Sequence, residues 1–269
     1  MNLELEQITA ANRAAWDASA PLHGQGADWT ALLSGFSRPG FSVLDQTLTN
    51  TLTALAPAGK RAVQIGCNNG RELLSLRALG AIASLGIDQS AGFLAQAEQL
   101  ARLAGADDCQ FLCADIYALP EGVASCHELG LITIGVLNWM PDLQRFFQVV
   151  AGLLAPGAAL VIYETHPFLE VFDPTGEDPL RPVTSYFSQA PLIDSAAITY
   201  DGSDGGEGAP SYWFIPTLGE IVTACVQAGL QIERLTEHPH CNREVEYEQY
   251  EHQQAQLPLC YTLVARKSG

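Results

Sequence analysis

Lysine is nearly absent from this chain: Lys60 and Lys267 are the only two in 269 residues. Lys and Arg together number 13 against 30 Asp and Glu, a formal net charge of −17. A protein that reads DNA or RNA needs a basic surface to neutralise phosphates. This composition offers none, so nucleic acid is not an expected partner. No apolar run is long enough for a membrane span. The opening MNLELEQITA carries acids where a secretory leader has a basic segment, and a cytoplasmic location is the expectation. The cysteines, at 67, 109, 113, 126, 225, 241 and 260, form no CxxC pair. Reduced, largely buried thiols fit that pattern better than a disulfide framework.

What is present is enough apolar material for a full core, 48% of residues. Residues 1–56 read as a helical cap, with Val43, Leu44, Leu48, Leu52 and Leu55 at helical spacing, and Pro57 and Gly59 end it. Strands and helices then alternate. Ala62–Ile65, Ile82–Ile87, Gln110–Ala114, Leu129–Val136 and Ala159–Tyr163 read as strands, and Ala155–Ala158 as a turn. Arg71–Leu79 reads as a helix, and Ser90 and Asp142 as caps of two more. Near-continuous apolar strands between helices imply a parallel sheet covered on both faces. Periodicity stops over residues 165–216, which predicts an insertion or lid over a substrate site; its acidic, Gly-rich run Asp201–Gly208 is expected to be mobile. It returns at Thr217 and Glu220, a capping box, followed by strands over Leu230–Leu235 and Leu257–Ala265. The chain is expected to be one domain, 1–269, with its core in 57–164 and 217–269.

The stretch Arg61 to Asp88 carries the most chemistry. An apolar strand enters a turn, Gly66 to Gly70, a helix follows, and a second strand ends on Asp88. Glycines let backbone approach a ligand, a helix start offers free N–H groups, and an acid at that distance can accept both hydroxyls of a ribose. A nucleoside-bearing cofactor is implied.

These residues resemble the class I S-adenosylmethionine-dependent methyltransferases, in their small-molecule, ubiquinone/menaquinone-biosynthesis-like branch. Ala62 to Gly70 is similar to V-L-D-x-G-C-G-x-G; Gly86-Ile87-Asp88-Gln89-Ser90 to G-x-D-x-S. Cys113-Ala114-Asp115-Ile116 is similar to the adenine-side motif, Leu137 to Asp142 to the end of strand four, and Leu154 to Ala158 to L-x-P-G-G. The resemblance implies a Rossmann-like seven-stranded, mostly parallel sheet with its last strand antiparallel, S-adenosyl-L-methionine as cofactor, S-adenosyl-L-homocysteine as product, and a small-molecule acceptor. It implies cofactor contacts at Gln64, Gly66, Asn68, Gly70, Asp88 and Gln89, with Asp115 and Ile116 on the adenine and Trp16, near Arg13, in a covering segment. Gln64 departs from the family's usual acid and Asn68 from its usual Gly. The first exchanges a charge for a carbonyl dipole toward the cofactor's ammonium; the second keeps a residue that tolerates positive φ.

Other residues leave roles open. Asp115 also suits a helix cap. Trp16 and Trp139 also suit packing. Asn138 and Trp139 stand at the end of strand four, where an open sheet has its ligand crevice. His166 and Glu164, just past strand five, are candidates for a proton acceptor, with His166 first; Tyr212 and Trp213 are candidates for a pocket wall. His238, His240 and Cys241 have no further close ligand pair, so no metal site is expected. In-line methyl transfer is the leading function. A nicotinamide-dependent oxidoreductase fits less well, since Gly66 and Gly70 miss G-x-G-x-x-G, and a non-catalytic protein that binds the cofactor or its product stays open.

Overall fold

The computed structural model describes residues 4–200 and 205–269. Three helices open the chain: α1 (Leu5–His23), α2 (Gly26–Phe36) and α3 (Gln46–Thr53). Then follow β1 (Arg61–Ile65), α4 (Arg71–Ser75), β2 (Ile82–Asp88), α5 (Ala91–Leu103), β3 (Gln110–Cys113), β4 (His127–Thr133), α6 (Leu143–Leu153) and β5 (Leu154–Thr165). An arm carries β6 (Leu192–Ala196) and β7 (Glu207–Trp213), and α7 (Leu218–Gln227), β8 (Leu230–His238) and β9 (Cys260–Lys267) complete the chain. The main sheet runs β3-β2-β1-β4-β5-β9-β8, with β9 antiparallel to both of its neighbours.

Alternation along the strands divides the core. On β5, Leu160 and Ile162 join Phe146, Val150, Ile221 and Cys225 beneath α6 and α7. Val161 and Tyr163 point the other way, onto Leu48, Leu52, Leu73 and Leu76 from α3, α4 and the turn after it. The Tyr163 hydroxyl donates to Asp45 Oδ2 at 2.7 Å, while Oδ1 of the same residue caps α3 at Leu48 N, so one carboxylate ties the helical cap to the sheet. The predicted caps form as written: Ser90, Asp142 and Thr217 each accept from the N–H three residues on.

Three expectations need correction. Strand β4 ends at Thr133 and not at Val136, because Ile134 and Gly135 turn left-handed, at φ 34° and 84°. Residues 155–158 are not a free turn but a bulge within β5: His127 pairs with Leu154 and Leu129 with Ala159. The helix read over Arg71–Leu79 is α-helical only to Ser75 and tightens to a 3₁₀ turn over Leu76–Leu79.

Residues 165–216 hold more structure than their sequence shows. A 3₁₀ turn spans Pro167–Val171, and β6 and β7 pair as an antiparallel ribbon. Residues 201–204 of the run expected to be mobile lie outside the described residues, and Glu207 and Gly208 begin β7. The ribbon lies along α1. Tyr212 N donates to Asn12 Oδ1 at 2.7 Å and Asn12 Nδ2 donates to Tyr212 O at 3.1 Å. Ile198 N donates to Ser19 Oγ at 2.9 Å. Replacing Asn12 by Ala removes two buried bonds, worth roughly 1–3 kcal/mol locally. Amide exchange over residues 207–213 is expected to quicken about tenfold in this variant while the main sheet keeps its protection. Unchanged exchange in β7 would show that Asn12 does not hold the ribbon.

Candidate active site

The turn after β1 is left-handed at three positions, with φ 63° at Gly66, 51° at Asn68 and 71° at Gly70. A Cβ on Gly66 would stand 2.6 Å from Val136 Cγ2, and one on Gly70 would stand 2.9 Å from the Phe111 ring. Asn68 takes the left-handed conformation expected of it. Its N–H donates to Asp88 Oδ2 at 2.7 Å, and Ser90 N donates to Oδ1 at 2.9 Å. The carboxylate at the end of β2 therefore holds the turn and the start of α5 together. Burial pushes the Asp88 carboxyl up against the pull of those N–H donors.

Above this turn lies a cavity of about 810 Å³. Trp16, Gln64, Gly66, Asn68, Asp88, Gln89, Asp115, Ile116 and Asn138 all line it, and Trp139 and Trp213 join them. Gly70 stands behind the lining, against Phe111. Asp115 lines the cavity and also caps the 3₁₀ turn Ile116–Ala118 through Tyr117 N, at 2.9 Å. Arg13 sits apart, in a small hollow with Glu6 and Gln89. Trp16, Trp139 and Trp213 meet edge to face, with centroids 5.3 and 4.9 Å apart, and join α1, the turn after β4 and the arm above the cavity. Tyr212 serves the ribbon through its backbone.

Gln64 is 1% exposed. Oε1 accepts from Leu73 N and Nε2 donates to Thr133 Oγ1, both at 2.9 Å. The amide thus anchors α4 to the sheet at the floor of the cavity, which it also lines. A nucleoside-bearing group still fits the remainder. The glycine turn admits close approach, Asp88 lies beside it, and Asp115 and Ile116 line the cavity farther along.

The rim beyond β4 and β5 is arranged differently from the sequence expectation. His166 does not line the cavity. Its Nδ1 accepts from Phe168 N at 3.1 Å, so Nε2 carries the proton and donates to Glu237 on β8 at 2.9 Å. Burial pushes His166 below the usual histidine value, against the attraction of Glu237. The ring closes the 3₁₀ turn against the sheet edge. Glu164, 2% exposed, accepts from the N–H groups of Gly135, Val136 and Leu137 and shapes the turn after β4. His238 and His240 are also engaged, with Thr262 and with Thr47 and Cys241.

The cavity gains residues that sequence reasoning missed. Arg71 and Arg243 both bind Glu72 Oε1, at 2.9 and 3.0 Å. Burial pushes Glu72 up, and the two guanidiniums outweigh it. Tyr200 accepts from Asn68 Nδ2 at 2.7 Å. Glu170 receives Trp213 Nε1 at 2.8 Å and lies 3.4 Å from Asn138 Nδ2. Burial raises Glu170 and Glu244 to about 7 each. An acid inside the apolar run Phe168–Val171 was the available signal for Glu170.

These raised carboxyls carry a pH dependence. Burial raises Glu164 further, to about 8; from the usual carboxylate value up to these values the folded chain holds protons that the unfolded chain has released, so stability falls as pH rises. The depressed His166 and His238 act in the opposite direction only below the usual histidine value. The melting temperature is therefore expected to drop from pH 6.5 to 8.5, and E170Q/E244Q should lessen the drop and leave the share of Glu164. An equal slope in the double variant would refute the assignment.

Comparison with known proteins gives concordant results. Residues 63–162 match a family model described as "Methyltransferase domain". No curated protein matches the sequence. Among solved structures, a putative S-adenosylmethionine dependent methyltransferase from Listeria monocytogenes is 19% identical, covers 82% of this chain and 97% of its own, and superposes with a TM-score of 0.60. An S-adenosylmethionine dependent methyltransferase from Mesorhizobium loti is 24% identical over 81% of this chain and 96% of its own, with a TM-score of 0.59. The [4+2]-cyclase SpnF is 19% identical over 94% of each chain, with a TM-score of 0.55.

Proposed function

We propose that this chain, an S-adenosylmethionine-dependent methyltransferase of class I fold, transfers the methyl group to a small-molecule acceptor. The observation that carries the reading is the single cavity, which joins the glycine turn and Asp88 to a chamber walled by Trp139, Trp213 and Phe172. Asp88 would hold the ribose hydroxyls, Gly66 and Asn68 the methionine part, and Asp115 and Ile116 the adenine. Trp16 would close over them. Asn138 stands between the two halves of the cavity. S-adenosylmethionine supplies a methyl group already activated on sulfur. The protein then has to align the acceptor in line with that bond and exclude water. Helix α1 and the arm, bound to one another, serve as the water-excluding cover.

SpnF shares the fold while its name gives a cyclase, so the fold alone does not assign the reaction. A cofactor-binding protein without transfer is the second reading. Formation of S-adenosylhomocysteine with an acceptor separates the two. The cofactor site is tested directly: Asp88→Ala removes a charged acceptor worth roughly 1.5–3 kcal/mol. S-adenosylhomocysteine affinity is then expected to fall about tenfold or more by calorimetry, with the fold intact. Equal affinity in the variant would move the ribose site elsewhere. A melting temperature raised by NADPH but not by S-adenosylhomocysteine would overturn the reading as a whole.

A further inference from the structure

We propose that Glu170 is the proton acceptor of the transfer and that the acceptor molecule is an amine, held in the half of the cavity between Glu170 and Glu244. This rests on the methyltransferase reading above and adds to it the chemical class of the acceptor. The geometry leads. Glu170 lines the cavity on the 3₁₀ turn that follows β5, on the same rim as Asn138. Trp213 Nε1 fixes Oε2 at 2.8 Å. Oε1 has only the long 3.4 Å approach of Asn138 Nδ2, so it keeps lone pairs for a ligand. Three separate elements thus aim one carboxylate, and one of them is the arm.

The other candidates on the rim are occupied. Both ring nitrogens of His166 are used outside the cavity. Glu164 already accepts three backbone N–H groups. Asp88 serves the turn beneath it.

Charge selects the acceptor. Glu170, Glu244 and Glu246 line this half of the cavity, with Tyr247 beside them. Among the described residues the cationic side chains of the lining are Arg71 and Arg243, and both are held by Glu72. A carboxylate or phosphate placed between Glu170 and Glu246 would meet repulsion from both. An ammonium is attracted, and Trp213 and Tyr247 give it aromatic faces as well. Burial, and repulsion from Glu246 and Glu244, hold Glu170 near neutrality, where a carboxylate works as a general base. The step balances. The ammonium N–H bond breaks and its proton passes to Glu170. The freed nitrogen lone pair forms the bond to the methyl carbon as the carbon–sulfur pair returns to sulfur. The products are the methylated amine and S-adenosylhomocysteine.

Two measurements test this without the natural acceptor. The indole N–H resonance of Trp213, assigned with W213F, is expected to titrate with a midpoint near 7 and to stop titrating in E170Q. A midpoint in the ordinary carboxylate range, or an unchanged titration in E170Q, overturns Glu170 as the base. Calorimetry on protein saturated with S-adenosylhomocysteine compares phenethylamine with 2-phenylethanol, which has the same skeleton without the charge. The amine is expected to bind roughly tenfold tighter, and E170Q to remove most of that preference. No preference, or one that survives E170Q, overturns the amine assignment. Loss of S-adenosylhomocysteine binding in the unmutated protein would defeat the methyltransferase reading. Retained binding without an amine preference would defeat this inference alone.

Discussion

A buried carboxylate that accepts three consecutive backbone N–H groups organises this molecule. Glu164 at the end of β5 holds Gly135, Val136 and Leu137, the residues that follow β4. The left-handed bend at Ile134 and Gly135 is the conformation those three bonds require. Held there, Val136 reaches the space that Gly66 leaves by having no side chain. The next residues continue from that position. Asn138 exchanges two hydrogen bonds with the backbone of Phe214, at 2.7 and 2.9 Å, and so receives the end of the arm. The glycine turn, the rim and the end of the arm thus meet at the segment that Glu164 holds.

The pattern of charge follows from the same architecture. Glu72 gathers two arginines in the cavity lining, which also carries Glu170, Glu244 and Glu246. Asp88 accepts one backbone N–H on each oxygen, from Asn68 and from Ser90, and so ties two successive elements. Gln64 donates to Thr133 and accepts from Leu73 at once, so one amide serves both the sheet and α4.

Much of the sheet was legible because apolar strands and capped helices alternate on a scale that local pattern records. Ser90, Asp142 and Thr217 signal their helices through bonds only three residues long. The turn after β1 was legible because positive φ at Gly66, Asn68 and Gly70 is a local property of the backbone. The ribbon β6–β7 was not. Every residue of β6 is exposed, so Leu192 and Ile193 show no alternation between an inner and an outer face. What holds the ribbon is Asn12, 200 residues away from Tyr212. His166 illustrates a second limit. Its place after β5 was readable, but Glu237 decides which way its ring turns, and that residue lies 71 positions later. Glu170 was overlooked because an acid in an apolar run has no motif; its meaning comes from Trp213 on the arm.

The bonds between α1 and the ribbon bear on how such a fold can be recombined. Asn12 and Ser19 on the helix are matched to Tyr212 and Ile198 on the arm. Recombination or design that exchanges the arm alone would separate a pair of interlocking parts. The donor's arm would arrive without the helix that gives it a seat, and the recipient's helix would expose the polar groups it had kept satisfied. Helix α1 and the ribbon β6–β7 are therefore interlocking parts encoded far apart, and a graft that keeps their bonds has to move both pieces together.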